Sequence, residues 1–126
     1  VRVADLMLQG SEVPKAQKEE KVVDILVRLS SMRCGCLIIG RETLEGIFTD
    51  GELRRAVEKF GASALDMPLD ELMTKKPRVV QSDAMAFDAM RLMESIHNNS
   101  ITVMPVVDNG RLMGMVRLHD IVQAGL

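Results

Sequence analysis

The chain repeats itself. Val3-Ala-Asp-Leu-Met7 returns as Leu69-Asp-Glu-Leu-Met73, Val22-Val-Asp-Ile-Leu26 as Ala86-Phe-Asp-Ala-Met90, and Leu44-Glu-Gly-Ile-Phe48 as Leu112-Met-Gly-Met-Val116, while Glu52-Leu53 answers Asp120-Ile121. The offset drifts from 66 to 64 to 68 residues, which puts the insertions in loops and keeps the elements in step. The fold must therefore be built twice from one unit, over residues 1–62 and 63–126. A unit of about 60 residues buries too little surface to be secure alone, so the two copies are expected to pack together as a pseudo-twofold pair.

Each copy reads as strand, helix, strand, strand, helix, which makes the fold class α/β with two β-α-β-β-α repeats. In the first copy, Lys21 to Met32 places Val22, Val23, Ile25, Leu26, Leu29 and Met32 on one helical face. Its counterpart runs from Ala84 to Ile96 with Met85, Phe87, Met90, Leu92, Met93 and Ile96, after Ser82 and Asp83 as candidate caps. Strand pairs follow: Cys36 to Ile39 with Leu44 to Thr49, and Ile101 to Val107 with Leu112 to Val116 around the hairpin signal Asp108-Asn109-Gly110. Helices over Glu52 to Phe60 and His119 to Ala124 close the copies, each before a glycine (Gly61, Gly125) suited to the positive φ of a helix stop.

Composition removes several functions. The chain is 47% hydrophobic but only 2% aromatic, with three Phe and no Trp or Tyr, so base-stacking readers of single strands and membrane aromatic belts are excluded. Sixteen basic against eighteen acidic residues give a net charge of -2, which implies no nucleic-acid partner. The apolar runs, such as Cys36-Leu-Ile-Ile39, fall far short of the ~20 residues a membrane helix needs. The opening Val-Arg-Val-Ala-Asp is neither an initiator Met nor a signal peptide and reads as a cut from a longer protein. Two cysteines, Cys34 and Cys36, are too close for an ordinary bridge, and a reducing, cytoplasmic location is expected.

The order of elements, with Pro105-Val-Val-Asp108, Asn109-Gly110, Gly114-Met-Val116 and Asp120-Ile121, resembles a tandem pair of cystathionine-β-synthase (CBS) domains, a Bateman module, over essentially the whole chain. Glu45-Gly-Ile-Phe-Thr-Asp-Gly-Glu-Leu-Arg-Arg55 and Leu118-His-Asp-Ile-Val-Gln-Ala-Gly125 are more specific. They resemble the C-terminal part of sugar-phosphate isomerases of the arabinose-5-phosphate isomerase (KpsF/GutQ) type. In that family a sugar isomerase (SIS) domain interconverts ribulose 5-phosphate and arabinose 5-phosphate for Kdo and lipopolysaccharide synthesis. The resemblance implies that this domain precedes Val1 in cis, that the fragment itself is not catalytic, and that the pair assembles as a homodimer through its helices.

The residues agree that no catalytic site is present: there is no Gly-x-Ser-x-Gly elbow and no phosphate loop ending in Gly-Lys. Cys34 and Cys36 could form a metal or thiolate-imidazole site with His97, but alternation along a strand places both thiols on one face as small hydrophobes, which is the reading taken. Asp50 and Glu52 read as helix-start carboxylates rather than as an acid/base pair. No metal is expected. CBS pairs hold adenosyl nucleotides in clefts between the repeats, using a Thr or Ser at the last strand's end and an Asp three residues on. The resemblance carries these roles to Thr49 and Glu52 in the first copy and to Arg117 and Asp120 in the second. Glu52 is one methylene longer than Asp, and Arg117 replaces the hydroxyl with a forked cation suited to phosphate. His119 joins the second set, and Pro77, within the basic turn of Lys75, Lys76 and Arg78, borders a cleft in such pairs. The implied effectors are AMP, ATP or the nucleotide sugar CMP-Kdo. A purely structural dimerisation module is the alternative, with Arg117 a solvated strand end, His119 exposed and Asp120 a helix cap.

Overall fold

A computed structural model describes residues 1–30, 34–94 and 101–125. In chain order the elements are α1 (Val3–Leu6), β1 (Lys15–Ala16), α2 (Val22–Leu29), β2 (Cys36–Gly40), β3 (Leu44–Thr49), α3 (Asp50–Phe60), α4 (Ala86–Glu94), β4 (Val103–Asp108), β5 (Arg111–Arg117) and α5 (Leu118–Gln123). Short 3-10 turns cover Gly10–Glu12, Gly61–Asp66 and Leu69–Glu71. The α/β reading and the doubled helix, strand, strand, helix order both hold. Met32, Ile96 and His97 lie outside the described residues.

The chain divides into two compact units, Val13–Pro77 and Val1–Glu12 with Arg78–Leu126, so packing cuts the molecule differently from the sequence repeats at 1–62 and 63–126. The cause is an exchange of opening segments. Val3, from the start of the first repeat, is fully buried with Ala86, Met104, Val116 and Ile121 of the second. Leu69, its counterpart, is fully buried with Val22, Ile25 and Phe48 of the first. Each copy thus lends its first apolar residues to the core formed by the rest of the other.

In the unit Val13–Pro77, β1 runs parallel to β2 and β2 antiparallel to β3, with Leu37 opposite Phe48 and Ile38 opposite Ile47. Thr74 extends the sheet by exchanging two backbone hydrogen bonds with Ile47, both 2.9 Å. Helix α2 covers the sheet with Val22, Ile25 and Leu29, each burial contributing about 1.5–3 kcal/mol. Val23 and Leu26, expected on the same face, are exposed. An eight-residue helix lying on one sheet buries a single i, i+3, i+7 line, and the flanking apolar residues stay outside. Arg28 ties β1 and the loop after it to this helix, through the Lys15 carbonyl at 3.1 Å and the Glu20 carboxylate.

In the second unit, β4 and β5 form the expected hairpin: Asp108 faces Arg111, and Asn109 (φ 51°) and Gly110 (φ 79°) both take the positive φ of a type I′ turn. The strand expected before α4 is reduced to a parallel bridge between Val80 and Val106. Helix α4 buries Ala86, Ala89 and Met93, while Met85, Phe87 and Leu92 are exposed, a second correction to the predicted face. Ser82 and Asp83 lie upstream of α4 and do not begin it. Ser82 instead donates its backbone N–H (2.9 Å) and its hydroxyl to the Asp108 carboxylate, joining this segment to the hairpin turn. Leu8 pairs with Met115 through two backbone hydrogen bonds, 2.7 and 3.0 Å, as Thr74 does with Ile47 in the other unit.

Candidate functional site

Both units place their family-type residues where the last strand turns into a helix. At the β3–α3 junction, Thr49 is extended (φ -118°, ψ 171°) and caps α3: its Oγ1 accepts the Glu52 N–H at 3.4 Å, and Glu52 Oε1 accepts the Thr49 N–H at 3.0 Å. This reciprocal box satisfies two helix-start donors and puts a carboxylate against the positive end of the helix. The reading of Glu52 as a helix-start carboxylate therefore holds. Arg55 adds a partner to which the sequence reading gave no role: its Nη2 stands 2.5 Å from Glu52 Oε2. Both carboxylate oxygens are thereby engaged, and the Glu52 side chain is only 11% exposed. The i, i+3 spacing of acid and base was the signal that could have found this pair.

Pro77 closes this unit, half-buried after exposed Lys75 and Lys76. Thr74 pairs with Ile47 in antiparallel sense, so the chain leaves that bridge against the direction in which β3 runs to Thr49.

At the β5–α5 junction the chemistry differs. Arg117 precedes α5 and donates from Nε to Asp120 Oδ2 at 2.6 Å and from Nη2 to Asp120 Oδ1 at 2.9 Å. The side chains are 21% and 22% exposed, so the fork-on-carboxylate pair is partly shielded from water. Asp120 is not the helix cap of the structural alternative, since its oxygens hold Arg117 and the junction makes no side-chain cap bond. Arg117 is not a solvated strand end either. The Leu118 N–H, bonded to the Thr102 carbonyl at 2.8 Å, fixes the turn after the strand. His119 is exposed. The six predicted residues thus form two contacting pairs, Thr49 with Glu52 and Arg117 with Asp120, with Pro77 and His119 outside them.

The cysteines do not share a strand face: β2 begins at Cys36, and Gly35 (φ 65°) interrupts alternation before it. Cys36 is fully buried, and burial, reinforced by the charges of Cys34, Asp50 and Glu52, pushes its thiol up to about 12. Such a thiol is a poor nucleophile and behaves as the small hydrophobe expected of it. Among the described residues, no three His, Cys, Asp or Glu side chains gather in a way that could hold a metal ion. Among the described residues, no helix is long and apolar enough to cross a membrane.

A guanidinium that already grips a carboxylate along its fork is chemically fitted to grip a phosphate the same way, and a carboxylate released from it is an acceptor for ribose hydroxyls. The comparisons with known proteins bear on this chemistry. The CBS domain model matches residues 69–126. An uncharacterized protein of Chlamydia muridarum is 37% identical over 130 residues, covering 99% of this chain and 39% of its own length. The arabinose 5-phosphate isomerase KdsD of Salmonella typhimurium is 34% identical over 128 residues, covering 100% of this chain and 38% of its own. The chain therefore spans about two-fifths of the length of the curated relatives it matches. Among solved structures, the CBS-domain protein ATU1752 of Agrobacterium tumefaciens superposes with a TM-score of 0.85 at 24% identity, covering both chains fully. CBSX2 in complex with AMP superposes with a TM-score of 0.83 at 25% identity, over 98% of this chain and 95% of that one.

Proposed function

From a chain that carries a CBS domain over residues 69–126 and has the CBS-domain fold throughout its length, we propose a regulatory role: this is the CBS-pair module of an arabinose 5-phosphate isomerase, sensing a nucleotide or nucleotide sugar. The single observation that carries the reading is the AMP complex of CBSX2, a similar fold at 25% identity, taken with an anion-gripping Arg117 in this chain. The isomerisation itself belongs to a SIS domain in cis, with arabinose 5-phosphate and ribulose 5-phosphate as its substrates. AMP, ATP and CMP-Kdo are the candidate effectors, the last because it lies downstream of the isomerase product.

Of the two junctions, β5–α5 suits an effector better. Glu52 is held by a backbone N–H and by Arg55, so using it for a ribose would cost the α3 cap, about 1 kcal/mol. At Arg117 an incoming phosphate takes over a fork already set for an oxyanion, and the Asp120 carboxylate it displaces is freed to accept from ribose hydroxyls.

A second role, subunit association, is favoured by exposed apolar helix faces: Val23, Leu26 and Val27 on α2 of one unit, and Phe87 and Leu92 on α4 of the other, with Met85 just before it. Light scattering on the chain at tens of micromolar should return a homodimer, and a monomer would end this reading.

The effector role is tested by thermal shift with AMP, ATP, CMP and CMP-Kdo. Ligand at 100 times its dissociation constant should stabilise the chain by about 2.7 kcal/mol, a rise in Tm of several degrees. No shift with any of the four overturns the sensing role and leaves association alone.

A further inference from the structure

In the unit that contains Arg117 and Asp120, the elements that frame the pair are joined to a segment distant in sequence. Val116 immediately precedes Arg117 and Ile121 immediately follows Asp120; both are fully buried, and both pack in one cluster with Val3. Two residues before Arg117, Met115 exchanges its backbone hydrogen bonds with Leu8, at 2.7 and 3.0 Å. Gly114 permits that approach, since a Cβ there would stand 2.2 Å from the Leu8 carbonyl oxygen. The other end of the segment is fastened just before α4. The Val1 carbonyl accepts the Ala86 N–H at 2.8 Å, the Val3 and Ala4 N–H groups donate to Ala84 (2.8 Å) and Ser82 (2.9 Å), and the Arg2 guanidinium donates to the Asp83 carbonyl at 2.5 Å.

We propose that residues Val1–Glu12 form a strap whose docking is coupled to occupancy of the Arg117–Asp120 pair, so that an effector at β5–α5 tightens the strap and is in turn bound more tightly when the strap is docked. The proposal rests on the ligand reading above and adds its route of transmission. The physical basis is a shared rigid core. Exchanging Asp120 for a phosphate on Arg117 moves the residues bracketing Val116 and Ile121, and a close-packed cluster answers such a shift by settling into one arrangement or another rather than by deforming smoothly. Val3 and Leu8 are the strap residues in that arrangement. The corresponding segment of the other unit, Leu69 to Pro77, leads on to Arg78, whereas this strap is the one on which any chain preceding Val1 is mounted. Thermodynamic reciprocity then requires that loosening the strap weaken the effector by the same factor with which the effector tightens the strap.

The test uses the whole 126-residue chain with AMP as probe. Calorimetric titration measures binding, and amide hydrogen exchange measures Val3, Ala4 and Leu8, whose N–H groups make the docking bonds. Saturating AMP should slow those three amides by about tenfold, and Leu8→Pro, which deletes the N–H to Met115, should weaken AMP by a similar factor. Val3→Ala is the milder companion should Leu8→Pro fail to fold, with Ile38 and Ile47 amides in the other unit reporting overall integrity. AMP binding with strap exchange unchanged, or with equal affinity in both variants, overturns the coupling and leaves the ligand reading standing. No heat and no protection anywhere overturns both.

Discussion

Gly114→Ala tests the exchange of opening segments more sharply than any other substitution. The glycine does not hold a positive φ, so an alanine backbone is at ease there, and the whole effect is steric. The new methyl would stand 2.2 Å from the Leu8 carbonyl oxygen and 3.3 Å from the Met7 sulfur. A carbon and a carbonyl oxygen approach no closer than about 3.3 Å, so the strap must retreat by about 1 Å. That stretches both Leu8–Met115 hydrogen bonds out of range, at about 1 kcal/mol each. The stiffer unfolded chain returns about 0.4–1 kcal/mol. If the strap only lifts, the net loss is about 1–1.5 kcal/mol; if it leaves and exposes Val3, a further ~1.5–3 kcal/mol goes with that side chain. Urea unfolding followed by circular dichroism should show the midpoint fall accordingly. Gly46→Ala is the matched comparison: its methyl meets the Met73 sulfur and the Thr74 oxygen, both at 2.8 Å, a smaller overlap that a flexible thioether partly absorbs. Its loss should be smaller. A Gly114→Ala chain as stable as the parent, or more stable, would refute the strap as described.

Two further outcomes are expected. Alkylation of the native chain at pH 8 followed by mass spectrometry should leave Cys36 unmodified, because a thiol held at about 12 is thiolate in only about one molecule in ten thousand, and urea should release its reactivity; rapid native labelling of Cys36 would contradict its burial. Glu20 is held below the ordinary carboxylate range, first by its hydrogen bond from Arg28, so its contribution to stability is full above its unfolded value of 4.5 and is lost as pH falls through the lower folded value. Glu20→Gln should flatten the acid limb of the stability curve; identical acid limbs in parent and variant would sink that assignment.

What the sequence revealed and what it hid have physical causes. The Asp108-Asn109-Gly110 turn was legible because only a few residue types tolerate two consecutive positive φ angles. The helix stops at Gly61 and Gly125 were legible for the same kind of reason, with φ of 63° and 76°. Glu52 was legible as a helix-start carboxylate, while its reciprocal box with Thr49 came from the structure, although the local three-residue spacing could have signalled it. Tertiary choice was hidden. Val22, Val23, Ile25 and Leu26 are equally apolar, and nothing local says that a short helix on a narrow sheet buries the first and third of them and leaves the second and fourth outside. The strap was hidden for a related reason: Val3 and Leu69 occupy equivalent repeat positions, and either could serve its own copy or the other until the cores are seen. At the candidate site, the family pattern supplied the positions and the structure supplied their state. Glu52 is spent on its own helix and Arg55, and Asp120 on Arg117, a pairing that the substitution of a cation for a hydroxyl made possible.

The effector reading is tested most directly by titrating isotopically labelled chain with AMP and following backbone amide resonances. The account predicts saturable shifts centred on Arg117, Leu118 and Asp120, spreading to Val3 and Leu8, with Thr49 and Glu52 moving less. A spectrum unchanged at millimolar AMP, or saturable shifts confined to Thr49 and Glu52, would contradict it.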